Sequence, residues 1–155
     1  MRAAEQLEQL LAGHVVERCE HRPILSATEA AEVRGTPLEQ GGKALVMKLG
    51  KQFAVVAVGG DARLVGRAVR RHLGVQRYRF ASPDELLELT GLRPGCVPPF
   101  GRPVFELPLY VDAALARQPR IAFTLAVPHR SAILDMSTYL SLAAPRAVLP
   151  LTEEP

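Results

Sequence analysis

Two apolar runs, residues 43–49 and 52–58, are separated only by Gly50-Lys51, and this arrangement constrains the fold more than any other feature of the chain. A glycine followed by one further residue suits a two-residue type II′ turn, so the runs are expected to form an antiparallel hairpin. The second run, Phe53-Ala54-Val55-Val56-Ala57-Val58, is apolar on both alternating faces. A strand of that kind lies centrally in a sheet covered on both sides, and helices must supply the cover.

The helix signals are spread along the whole chain. Leu7, Leu10 and Leu11 give residues 3–11 an apolar stripe that Gly13 closes, and a strand is expected over 14–19. Residues 28–33 are helix formers behind Thr28 as N-cap, and they stop at Gly35. A third helix is expected from an Asp61 N-cap to Gly74. It sets Leu64, Val65, Ala68, Val69 and Leu73 against Arg63, Arg67, Arg70 and Arg71 on its other side. Ser82-Pro83-Asp84-Glu85 reads as a capping box with proline in the first turn, and Gly91 ends that helix. Strands are expected over 106–111, 120–127 and 131–135, with helical turns over 112–117 and 137–142.

This interleaving predicts one α/β domain, residues 1–150, with a mixed, mostly antiparallel sheet covered by helices. Residues 151–155 are expected to be a disordered tail. A length of 155 residues suits a single core, and no apolar run approaches the roughly 18 residues of a membrane span. The first residues, MRAAEQLEQL, lack the apolar region of a signal peptide, so a cytoplasmic protein with no membrane partner is expected. Cys19 and Cys96 have neither C-x-x-C spacing nor a nearby histidine pair, which predicts free thiols and no zinc site. Lysine occurs only at positions 43, 48 and 51, and arginine supplies the rest of a net charge of +3. An arginine excess is compatible with a phosphate-rich partner. It is equally what a heat-adapted or GC-biased source would produce, given the abundant proline and the absence of tryptophan and asparagine.

Three features can carry chemistry. Lys43 follows Gly41-Gly42 at the start of a strand and can hold a carbonyl oxygen or a phosphate, or can simply be a solvated strand-end lysine. Residues 92–103 contain four prolines and two glycines, too rigid for a linker and too broken for a regular element. Within them, Gly95 to Gly101 can turn N–H groups inward as an oxyanion nest, or can be a stiff connector. His129, between two expected strands, can bind substrate or shuttle protons. Cys96 can be a nucleophile only if a base reaches it. No metal-like spacing links His14, His21 and His72, and Walker A, G-x-G-x-x-G and G-x-S-x-G sequences are absent.

In chain order, several segments resemble the YbaK/ProX family of aminoacyl-tRNA deacylases, relatives of the editing domain of bacterial prolyl-tRNA synthetases. They are His21-x-Pro23 with Thr28-Glu29-Ala30-Ala31, then Gln40-Gly41-Gly42-Lys43, then Gly60-Asp61 before a basic helix. Ala81-Ser82-Pro83-Asp84-Glu85-Leu86 through Thr90-Gly91 follows, and Gly95-Cys96-Val97-Pro98-Pro99 fits the family's G-x-x-x-P loop. The likeness runs from about His21 to Leu142. It implies a mixed α/β fold in which Lys43 faces that loop across a pocket for the aminoacyl ester. Lys43 and the backbone of Gly95 to Pro99 would hold the ester carbonyl, while water, a ribose hydroxyl or the substrate's own side chain attacks. No protein nucleophile, metal or cofactor is implied.

The substrate implied is transfer RNA mischarged with alanine, cysteine, serine or threonine. Ile24, Leu25, Val46, Cys96, Val97 and Pro98 are expected around the small side chain, and His129 at the terminal ribose. Ala44 and Val97-Pro98 stand where relatives often carry polar or smaller residues, which leaves the amino acid open. An aminoacyl-tRNA synthetase is a further expected partner. Two other readings compete: a non-catalytic module that binds charged transfer RNA or a synthetase, and a cysteine hydrolase built on Cys96.

Overall fold

The computed structural model describes residues 2–153. In chain order the elements are α1 (Arg2–Leu11), β1 (Glu17–Glu20), α2 (Ala27–Arg34), a 3-10 turn (Leu38–Gln40), β2 (Gly42–Leu49) and β3 (Gln52–Gly59). They continue as α3 (Gly66–Leu73), β4 (Tyr78–Phe80), α4 (Pro83–Thr90), β5 (Leu109–Asp112), α5 (Ala113–Ala116), β6 (Arg120–Thr124), β7 (Arg130–Asp135), α6 (Met136–Ala143) and β8 (Ala147–Leu149).

The hairpin forms as its sequence predicts. β2 and β3 pair antiparallel from Gly42↔Gly59 to Leu49↔Gln52, and Gly50 turns with φ +65°. Lys51 keeps a negative φ, as the second position of a type II′ turn does. β3 lies in the middle of a five-stranded mixed sheet of order β4-β2-β3-β5-β8, in which β3-β5 and β5-β8 are parallel. β1, β7 and β6 form a second, antiparallel sheet. A parallel bridge between Gly41 and Ala122 joins the two at the start of β2.

Alternation along β3 divides the core. Val55 and Ala57 enter the main core between the sheets, with α1, α4 and α6 around it, whereas Val56 and Val58 pack with Met47, Leu64, Leu73 and Leu151 on the other side. This two-sided burial is what the apolar run requires.

Local chemistry sets most helix ends. Ser82 accepts from Glu85 N while Glu85 accepts from Ser82 N, completing the capping box, and Gly35, Gly74 and Gly91 cap their helices in the left-handed region. Two starts differ from expectation. Ser26, not Thr28, caps α2 by accepting from Glu29 N at 3.1 Å. Asp61 does not start α3, which begins at Gly66, because Leu64 pairs with Thr152 and so keeps the preceding residues extended.

That pairing also overturns the disordered tail for residues 151–153. Leu151 is fully buried, and its N donates to Asp112 Oδ1 at 2.9 Å while Thr152 Oγ1 donates to Asp112 Oδ2 at 2.7 Å. A carboxylate as buried as Asp112 needs donors, and the chain end supplies them. Residues 154–155 lie outside the described residues.

Candidate active site

The proline-rich loop is rigid for identifiable reasons. Phe100 is fully buried, its ring edge-on to Phe123 and Tyr139 with both centroids 5.3 Å away. Tyr139 Oη donates to the carbonyl of Pro99 at 2.5 Å, and complete burial pushes that phenol well above its ordinary pKa. Phe100 N closes a tight turn onto Pro98 O at 2.8 Å. The stretch from Val97 to Gly101 is buried, and Gly95 and Cys96 form its more open rim.

The expected run of donors from Gly95 to Pro99 is shorter than its length suggests. Pro98 and Pro99 have no N–H, and Cys96 N is taken by Arg93 O at 3.1 Å. Among the described residues, Gly95 N and Val97 N have no protein acceptor. Gly95 holds φ +85°, a left-handed conformation that a Cβ would strain.

The start of β2 lies directly on this loop. A methyl group at Gly42 would sit 2.7 Å from Ile121 Cδ1 and 3.4 Å from Pro99 Cγ, so only glycine lets the strand approach so closely. Lys43 is exposed and opposes Val58. Strand alternation sends its stem to the face that carries Leu45 and Met47, whereas Gly42, Ala44 and Val46 face the main core and the loop. The fold thus brings the Lys43 main chain against the loop, and the four-carbon stem leaves from the far side of the strand.

A second group lies around the β6–β7 turn. His21 N donates to His129 O at 3.0 Å and Ile24 N to Pro128 O at 3.1 Å, so the segment before α2 is fastened to the turn that carries His129. The His129 side chain is exposed, and Ala126 in the same turn holds φ +67°, strained for a residue with a Cβ. Ile24 is half-buried, but Leu25 is 86% exposed and walls no cavity here. Val46, expected beside the substrate, is instead 5% exposed and packs in the main core. Its inward position follows from the parity of β2, which places it on the same side as Gly42.

Between the two groups runs a half-buried polar network, centred on the buried Ser131, that sequence reasoning missed. Ser131 Oγ is 2.8 Å from His21 Nε2 and accepts from Arg34 Nε at 2.9 Å. His21 Nδ1 lies 2.7 Å from Arg22 O, which can only accept, so Nδ1 carries the proton in the neutral ring and Ser131 donates to Nε2. The other end of the Arg34 guanidinium reaches the strand start: a methyl at Gly41 would stand 3.6 Å from Nη1. Burial pulls the Arg34 pKa down, yet a guanidinium stays charged, so a partly desolvated cation is held by Ser131 beside the start of β2. His21 stands in the His21-x-Pro23 segment, which by itself assigns it no role; nothing in the sequence marks Ser131 or Arg34.

Cys96 does not have the properties of a nucleophile. Partial burial pushes its thiol up, more than Arg93 draws it down, and a protonated thiol is a poor attacker. Among the described residues, no group of three His, Cys, Asp or Glu side chains is placed to hold a metal ion. Among the described residues, no helix is long and apolar enough to cross a membrane.

A family model described as the aminoacyl-tRNA editing domain matches residues 21–142. The multifunctional Ser/Thr-tRNA deacylase ProXp-y of Escherichia coli K12 is 35% identical over 134 residues, 83% of this chain and 79% of that protein. The proline–tRNA ligase of Trichlorobacter lovleyi is 36% identical over 88 residues, 56% of this chain but 15% of the ligase. Among solved structures, a candidate trans-editing enzyme for prolyl-tRNA synthetase superposes with a TM-score of 0.83 at 27% identity, covering 98% of each chain.

Proposed function

The chain belongs to the aminoacyl-tRNA editing domain family, and from that membership we propose that it is a free-standing hydrolase that deacylates mischarged transfer RNA carrying a small amino acid. The observation that supports the site assignment is the closeness of the strand start to the loop, where even a methyl at Gly42 would touch Pro99, so that a lysine-bearing main chain lies beside a pinned loop with two unused donors.

In this reading the ester carbonyl lies over the loop. The N–H groups of Gly95 and Val97 point at the oxygen that becomes negative in the tetrahedral intermediate, and Lys43 bends round the Gly42 edge of β2 to add its charge. Such donors act by being fixed before charge develops, because no reorganisation is then needed. The rigid anchoring of Pro99 and Phe100 serves that end. His129 and Ile24, fastened to each other's segments, hold the terminal ribose, and Cys96, Val97 and Pro98 bound the space for the amino-acid side chain. Attack comes from water, a ribose hydroxyl or the substrate's own side chain, with no protein nucleophile.

Serine and threonine, named for the Escherichia coli relative, are the first amino acids to test, with alanine and cysteine next. A second sieve that admits only small side chains suits this task, since synthetases reject smaller analogues poorly by binding alone. The enzyme would act in the cytoplasm and can cooperate with a synthetase that releases the mischarged product.

The test is deacylation of Ser-, Thr-, Ala- and Cys-charged transfer RNAs by the wild type and by Lys43→Ala. The expected loss in kcat is about 100- to 1,000-fold, the scale of one oxyanion donor. Undiminished hydrolysis by Lys43→Ala removes the lysine from the mechanism, and no hydrolysis of any substrate by the wild type removes the enzyme reading. Cys96→Ala is expected to keep full activity.

A further inference from the structure

Resting on the reading of the chain as a deacylase of charged transfer RNA, we propose that an open basic groove between α3 and β4 docks the phosphodiester backbone of that RNA. The groove is distinct from the place where the ester is cleaved. It encloses about 880 Å³ and is lined by Lys48, Arg70, Arg77, Tyr78, Arg79 and Phe80. Four of these are cations, and among the described residues no carboxylate lines it.

The cations differ in availability. Arg79 is held by Glu85 through two hydrogen bonds, 2.7 and 2.9 Å, so its charge is already matched. Among the described residues, Lys48, Arg70 and Arg77 form no ion pair with a carboxylate. The surrounding sequence is one-sided as well: residues 62–83 hold six arginines and no aspartate or glutamate, although the chain has 16 acids. Positive charge left unmatched on one face is the footprint of a polyanion.

The aromatic residues narrow the choice of polyanion. Phe80 is 58% exposed, and the Arg70 guanidinium lies 5.9 Å from the centroid of the half-buried Tyr78 ring. Guanidinium forks for phosphates interleaved with ring faces for bases are what an unpaired or end-frayed strand of RNA uses.

The distance is also suitable. Lys43 and Lys48 stand near the two ends of β2, about 16 Å apart at the rise of an extended strand. At about 3.4 Å per stacked nucleotide, roughly five nucleotides span that interval. The two stems leave opposite faces of β2, so an RNA strand touching both would cross the edge of that strand, with the phosphate contact several nucleotides from the 3′ end.

The experiment measures binding of uncharged transfer RNA as a function of salt, for the wild type and for Lys48→Gln/Arg70→Gln/Arg77→Gln. It also measures hydrolysis of a charged transfer RNA and of a short ester, the same amino acid on a terminal adenosine. Loss of three phosphate contacts is expected to weaken RNA binding about tenfold or more and to lower the slope of log affinity against log salt by about two to three. Turnover of the short ester should stay at the wild-type rate, which also shows that the variant is folded. Arg117→Glu, an exposed charge change elsewhere, should leave binding within twofold.

The proposal is overturned if the triple variant binds RNA with unchanged affinity and slope, or if Arg117→Glu loses as much. A wild type that ignores RNA but binds anionic vesicles overturns it equally. Should the wild type hydrolyse no ester while the triple variant still loses RNA, the deacylase reading fails and the docking surface stands.

Discussion

The two ends of β2 are built on opposite plans. At Gly42 a side chain would run into Ile121 and Pro99, and the polar groups His21 and Arg34 both bond to Ser131. At Lys48 the same strand borders an open groove whose cations are largely without partners and whose phenylalanine faces solvent. On the proposed reading, the difference follows from the task assigned to each end. Stabilising a charge that appears only in a transition state needs donors fixed beforehand, whereas attracting a long polyanion needs exposed charge that acts at a distance.

Replacing one phenylalanine at each end should break or confirm this contrast most clearly. Phe100→Ala removes a fully buried ring from the Phe123–Tyr139 cluster and should cost about 3–5 kcal/mol in urea unfolding. Phe80→Ala, at a site 58% exposed, should stay within about 0.5 kcal/mol while weakening RNA binding. Equal destabilisation by the two would erase the distinction.

Ser131→Ala sharpens the picture of the strand-start end. It strips Arg34 Nε and His21 Nε2 of their shared partner, and a desolvated cation left unpaired should cost about 1.5–3 kcal/mol. Turnover of the short ester should fall with it, because the His21 segment and the Arg34 guanidinium lose their shared anchor on β7. A stable Ser131→Ala protein with normal turnover would mean that the network positions nothing.

The smallest expected effect lies beside the groove. The Arg79 fork and the Ser82 main chain hold the Glu85 carboxyl down to about 2. A depressed acid contributes stability above its unfolded pKa, near 4.5, and loses it as pH falls through about 2. The carboxyl resonance of Glu85 should therefore titrate well below those of other glutamates. The acid limb of the melting curve between pH 4.5 and 2 should flatten slightly in Glu85→Gln. An ordinary glutamate titration would show that the pair is not populated in solution.

Much of the fold could be read directly. The type II′ hairpin, the capping box at Ser82 and the glycine stops at Gly35, Gly74 and Gly91 depend on residues within a turn of one another, so the chain declares them locally. The three-residue strands β4 and β8 could not be read in advance, because strands that short exist only through their partners. For the same reason the strands divide between two sheets instead of one continuous sheet. At the candidate site, Lys43 and the Gly95–Pro99 loop were visible as residue types in order, but the shortage of free N–H groups and the parity that points Lys43 away from Pro99 required the coordinates.

The sequence by itself determined the period of its strands, the ends of most helices, the stiffness of its proline-rich loop and the family to which these segments point in order. Only the tertiary structure decided that Arg34 meets Ser131 across 97 residues, that His21 meets it across 110, and that the chain end supplies the donors for Asp112. Local signals work through bonded neighbours and short turns. A buried polar group must instead find whatever partner the fold brings within about 3 Å, and nothing in its own vicinity names that partner in advance.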